Sequence, residues 1–263
     1  MHMRRLAIIA LLVGNAFASS AQTPPRLLFD ELRRHDLSML WTGPLPLIDR
    51  EDTTSLAWIE RPDALGYIGD DFKRLRIRIR SIARSGADSL CYLLDGATRV
   101  GDNVCSFEGE LHLDSLVRSP ASDAPDEWGG IRSGWSLRGH YVLREHPDQP
   151  GAGIFEGIHT LDIATDAAGN IYYDTLMLVG DGYRNNQWQG TWRSYRGGGA
   201  KACCWGDFRI PLGEGLDIGT GEFSPADAYL DNGWRSYCDR YAADSLRRQR
   251  ALAEEARRWW ICF

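Results

Sequence analysis

The sequence predicts a mainly β protein, an antiparallel up-and-down barrel. Three observations lead there. From Leu75 the chain reads Leu75-Arg76-Ile77-Arg78-Ile79-Arg80, a strict alternation that gives a strand one aliphatic and one arginine face. Further strand-like runs follow at short intervals, separated by Gly, Asn and Asp turns and by no helical stretch. The 10 Trp, 10 Tyr and 8 Phe are a heavy aromatic load, placed mostly in that region, as a sheet favours. A meander of about eight strands commonly closes on itself, because closure removes exposed edges. A two-sheet β-sandwich is the alternative.

The elements are expected in this order. Residues 1–21 read as a secretory signal peptide: Arg4-Arg5, an apolar run from Leu6 to Val13, then small residues to Ala18 or Ala21. The protein is therefore expected to be exported, periplasmic or extracellular. Residues 22–74 form an N-terminal extension. Leu27–Leu40 suits a short amphipathic helix with Leu28, Leu32 and Leu37 near one face, stopped at Gly43-Pro44. The β domain spans 75–236. Its strands are expected near 75–80, 90–94, 104–116, 135–144, 153–164, 171–179, 187–195 and 201–211, with a polar loop at 119–130. Residues 237–263 close the chain with a helix, Asp239–Trp260, whose apolar stripe is Ala242, Leu246, Leu252 and Ala256. Trp259, Trp260, Ile261 and Phe263 then form an apolar tip that packs back on the domain.

Without the leader, 28 basic residues face 36 acidic ones. That balance argues against nucleic acid, which needs cationic neutralisation of phosphate, and against an anionic membrane surface. No later run is long and apolar enough to form an integral membrane segment. The six Cys (91, 105, 203, 204, 238 and 262) include no C-x-x-C, and no His stands at zinc-ligand spacing from them. Structural disulfides or buried thiols are expected rather than metal, and no cofactor is implied.

Residues 181–211 are the most informative stretch. Polar amides, aromatics, cysteines and charges crowd two short strands there. Trp188, Trp192 and Trp205 offer flat faces. Asn185, Asn186, Gln187, Asp207 and Arg209 offer hydrogen bonds beside them, the mixture a small-ligand cavity needs. The plainer reading puts Trp188 and Trp192 on one core-facing side, with Arg209 tied to Asp207 or to loop carbonyls. Asp174, Asp181, Asp207 and Glu222 are the best-placed carboxylates for glycan hydrolysis, where their separation decides; turn capping and pairing with Arg are the preferred reading of them. Asp181–Asn186 is a mild calcium-loop candidate without the EF-hand pattern. His112, His140 and His159 lie in predicted strands and could converge on zinc or iron, although strand His residues are more often singly bonded.

Several short motifs also carry a resemblance. They are Asn103-Val104-Cys105-Ser106-Phe107-Glu108-Gly109, Gly153-Ile154-Phe155-Glu156-Gly157, Asp181-Gly182-Tyr183-Arg184-Asn185-Asn186-Gln187, Gly190-Thr191-Trp192, Cys203-Cys204-Trp205-Gly206-Asp207-Phe208-Arg209-Ile210-Pro211 and Gly221-Glu222-Phe223. As a set, from about Leu75 to Trp234, they resemble a family of uncharacterised secreted β-rich proteins of Gram-negative bacteria. That pattern has Asn where this chain has Cys204, and it implies Cys105 and Cys203 as the structural pair. The Gly-x-Trp at Gly190-Thr191-Trp192 gives a weaker likeness to lipocalin-like barrels. The leading expectation is non-enzymatic binding of a small apolar or carbohydrate ligand at one barrel end. A glycan hydrolase and a cell-envelope interaction module using the Trp tip are the alternatives.

Overall fold

The computed structural model describes residues 25–47, 57–118, 132–166 and 168–261. The leader, the loop 119–130, Cys262 and Phe263 lie outside the described residues. Two short helices, α1 (Pro25–Leu32) and α2 (Met39–Thr42), come first. A two-stranded sheet of β1 (Leu45–Leu47) and β2 (Ala57–Ile59) follows. The main sheet comprises β3 (Leu65–Ile68), β4 (Lys73–Arg84), β5 (Cys91–Val100), β6 (Asn103–Arg118), β7 (Arg132–Glu145), β8 (Gly153–Thr165), β9 (Ile171–Tyr173), β10 (Asn185–Ser194) and β11 (Lys201–Asp207). Helices α3 (Arg235–Asp239) and α4 (Ser245–Glu255) follow, and a 3-10 turn at Trp259–Ile261 comes last.

The sheet is a closed, antiparallel, lipocalin-like barrel of eight staves. β3 to β8 pair in succession, β10 pairs with both β8 and β11, and β11 pairs with β3. Closure rules out the sandwich. One stave differs from expectation. Residues 171–179 supply only β9, which pairs with the end of β8 at Ile163–Thr165. The chain then turns, with Asp174 Oδ1 accepting from Leu176 N and Met177 O from Gly180 N. The missing stave is β3, from inside the expected extension. It is four residues long, too short to show a period, and Gly66 admits the close approach of Trp205.

The alternation at β4 holds. Leu75 and Ile77 enter the core, while Arg76, Arg78 and Arg80 stay outside against Glu255, Asp63 and Asp95. A bulge between Ile79 and Ser81 shifts the phase, so Ile82 returns to the inside.

The barrel is filled. Tyr92, Phe107, Leu111, Leu137, Tyr141, Phe155, Leu161, Trp188 and Trp205 occupy it from all sides. Trp188 and Trp205 stack at 5.4 Å, with the Tyr141 ring edge-on to both at 5.0 and 5.2 Å. Eight staves leave an interior just wide enough for such filling. The N-terminal segment plugs one end. Leu32, Leu37, Leu40, Trp41 and Leu45 join the same core, and Leu37 N donates to Tyr92 Oη at 3.1 Å. That end of the barrel is therefore closed.

A second core lies outside the barrel. Leu216, Phe223 and Trp234 cover Leu65, Tyr67 and Cys204 on the outer face of β3 and β11. The expected C-terminal helix is present but shorter than Asp239–Trp260: α4 covers Ser245–Glu255 and begins where Asp244 Oδ1 caps Arg247 N at 2.7 Å. The expected apolar stripe is not its buried face: Leu246 and Leu252 are exposed and Ala251 is buried. Glu254 and Glu255 instead meet Arg74, Arg76 and Arg99 of the barrel wall. Part of the tip folds back: Trp259 is buried and Arg78 lies 4.9 Å above the Trp260 ring, whereas Ile261 is exposed. No described helix is long and apolar enough to cross a membrane.

Cys91, Cys105, Cys203, Cys204 and Cys238 are all free thiols, which corrects the Cys105–Cys203 pair. β6 and β11 are four staves apart either way round the ring, on opposite walls. Packed β layers stand about 10 Å apart, beyond the Cα separation of about 7 Å that a disulfide spans. Cys203 and Cys204 point to opposite faces, one into each core.

Candidate functional site

The plugged end concentrates buried polar groups. Asn185 and Asn186 open β10, and Asp207 ends β11 beside them. The ladder between these strands is broken by a bulge from Asn185 to Trp188. Asn186 and Phe208 both hold positive φ, 51° and 68°. Non-glycine residues there are strained, and such strain persists where surrounding contacts over-determine it. The contacts are visible. Asp207 Oδ2 accepts from Arg61 Nη1, from Tyr173 Oη at 2.9 Å and from Asn186 Nδ2 at 3.2 Å. Arg61 also donates to Leu40 O at 2.7 Å and Gly43 O at 3.1 Å, and its guanidinium lies 4.7 Å over the Tyr173 ring. One ion pair thus ties the plug to the barrel. Burial pushes the Asp207 carboxyl up; Arg61, Tyr173 and Asn186 oppose it.

His159 lies deeper. Its Nε2 is 3.2 Å from Trp41 Nε1 and 3.0 Å from Asn186 Oδ1, which also accepts from Trp188 Nε1 at 2.9 Å. Burial holds its pKa down at about 4, against the bond to Asn186, so the ring is neutral at neutral pH. Over this network a cleft of about 60 Å³ remains, lined by Trp41, Arg61, Asn186, Trp188, Trp205 and Asp207 among others.

The structure divides the expected site residues into groups. Asn186, Trp188, Trp205 and Asp207 meet at the cleft. Asn185 serves the neighbouring edge: its Oδ1 accepts from Asp162 N at 2.7 Å and its Nδ2 donates to Asp162 O and Asp174 O. Gln187 Nε2 ties Asn185 O to Arg209 O. Trp192 lies at the opposite end, where its Nε1 donates to the buried Glu145 carboxylate at 3.0 Å. Arg209 faces outward, paired with Asp217 at 2.7 Å and with three carbonyls of residues 219–221. Trp41, Arg61, Tyr173 and the placement of His159 escaped the sequence reading. Arg61 stands alone between Glu60 and Pro62, and its carboxylate partner is 146 residues away.

The other chemical candidates separate. Of the four carboxylates proposed for hydrolysis, only Asp207 lines the cleft, and it is engaged by Arg61. Asp174 is pushed to about 6 by burial, but its Oδ1 caps Leu176 N. The calcium reading is corrected too, since the side-chain oxygens of Asn185 and Asn186 accept from N–H donors. The three His do not converge: His112 and His140 stack outside at 5.1 Å and His159 is inside. The chain has no significant match to any protein-family model, curated protein or solved structure.

Proposed function

We propose that the protein binds, without chemical conversion, one end of a small hydroxyl-rich ligand of the sugar type at the plugged end of the barrel. One observation carries the reading: indole rings and buried hydrogen-bonding groups converge on a single small cleft, Trp41 and Trp205 beside Asn186, Asp207 and Arg61. Flat apolar faces with a few fixed polar groups suit a sugar ring and its hydroxyls. Size narrows the choice. About 60 Å³ falls far short of the roughly 300–1,000 Å³ that encloses a drug-sized ligand. A single ring edge or hydroxymethyl group fits, with the rest lying over Pro62 and Ala64. The apolar-ligand branch of the expectation has no comparable space inside the barrel, because the interior is occupied by side chains. Export, expected from the leader pattern, accords with an extracytoplasmic sugar-binding role.

The test is a tryptophan-emission and calorimetric titration with neutral, amino and acidic monosaccharides and disaccharides. Saturable binding by at least one class is expected, weakened by Trp41→Phe and unaffected by Trp260→Phe. Heat and emission unchanged with every class up to millimolar sugar would refute the reading.

A further inference from the structure

The outer wall carries a second concentration of chemistry. Cys91 begins β5 and lies directly opposite His112 of β6. Glu110 precedes His112 by two residues, so the pleat sends both side chains to one face. Leu111 and Leu113 point into the core, so that face is the outer one. Cys91 Sγ lies 3.6 Å from His112 Nε2, and Glu110 Oε2 lies 3.1 Å from the same nitrogen. The three ligand atoms all fall within 4.8 Å of one another.

This spacing suits a tetrahedral ion. Ordinary Zn–N, Zn–S and Zn–O bonds at tetrahedral angles put N and S about 3.6 Å apart, and N and O about 3.3 Å apart. The cluster is also poorly explained by hydrogen bonds alone. If Nε2 carries its one proton towards Glu110, the Cys91 sulfur is left only the part of a weak acceptor at 3.6 Å. The ring is held in place from its other face. His140, the cross-strand neighbour of His112, stacks on it with planes 6° apart, and His140 Nδ1 lies 3.0 Å from both carboxylate oxygens of Asp114.

We propose that Cys91, Glu110 and His112 form a Zn²⁺ site on the outer wall of the barrel, with water completing the shell. Thiolate and imidazole favour zinc over magnesium or calcium, which take oxygen ligands. Glu110 is exposed and His112 half-buried, so the fourth position faces solvent. Binding moves no electrons. The Cys91 S–H bond breaks, an S–Zn bond forms and the proton leaves to solvent. Nε2 donates its lone pair, and the ring proton resides on Nδ1.

The full chain, stripped with chelator, is titrated with Zn²⁺ by calorimetry and with Co²⁺ by absorption. One equivalent of zinc is expected, together with a thiolate-to-cobalt charge-transfer band. Cys91→Ser and His112→Ala, checked for native circular dichroism, should each lose the band and weaken zinc binding at least about tenfold. Cys238→Ser should keep both. In the wild type, Zn²⁺ should move the His112 imidazole NMR signals and leave those of His146 in place, a readout that stands even if a variant misfolds. A missing cobalt band, a band that survives Cys91→Ser, or a His112 signal indifferent to zinc would each overturn the site.

Discussion

Asp207 holds the plugged end together. It is almost wholly buried, and its charge partner Arg61 is little more exposed. Arg61 in turn holds Leu40 O and Gly43 O of the plug. Removing one member of a buried pair strands the other's charge, which typically costs about 3–5 kcal/mol. Asp207→Ala should therefore lower the urea unfolding free energy by about that amount. A loss below about 1 kcal/mol, the scale of an exposed pair, would show that the contact does not bind plug to barrel. Half of this constellation was legible in the sequence. Asn186, Trp188, Trp205 and Asp207 stand out because polar groups interrupt an apolar strand pair. Trp41 and Arg61 do not, because they reach the site from an irregular segment by tertiary contact. Trp192 and Arg209 look the same as their neighbours in sequence, yet distance along the barrel and the outward pleat remove them from the cleft.

Among the elements, β4 and α4 show what periodicity can and cannot reveal. The alternation at Leu75–Arg80 exposes β4 plainly. The stave β3 has no such signal, since both its faces are buried and four residues hold no readable period. In α4 the apolar residues mislead, because the helix docks through charge. Glu255 accepts from Arg74 at 2.8 and 2.7 Å and from Arg76 at 2.8 Å. Against the penalty of burial, these arginines and Ser236 bring its pKa from 4.5 to about 2. The folded state thus binds the proton less readily than the unfolded chain. The stabilisation is complete above pH 4.5 and is lost as pH falls from there towards 2. It amounts to about 2–3 kcal/mol once solvent screening is allowed for. The Glu255→Gln variant should be less stable than the wild type by about that much at pH 7 and should converge with it near pH 2. Paired urea unfolding at the two pH values checks this. A gap of equal size at both would show that ion pairing does not dock α4.

On the scale of the whole molecule, alternation predicts a closed barrel but not its contents. Inward-facing residues are apolar whether they line a cavity or fill it. The difference here comes from bulk, with Trp188, Trp205, Tyr92, Tyr141 and Phe107 all turned inside, and from a plug that precedes the β region in the chain. The barrel closes as its strand pattern predicts while leaving its interior no room for an apolar ligand. A fluorescent long-chain fatty acid, titrated into the wild-type protein with tryptophan-to-probe energy transfer as the signal, asks this most directly. A filled and plugged barrel predicts no saturable transfer at any probe concentration below micelle formation. Stoichiometric, saturable transfer from the interior tryptophans would mean that the plug yields and the core opens, and would contradict the account.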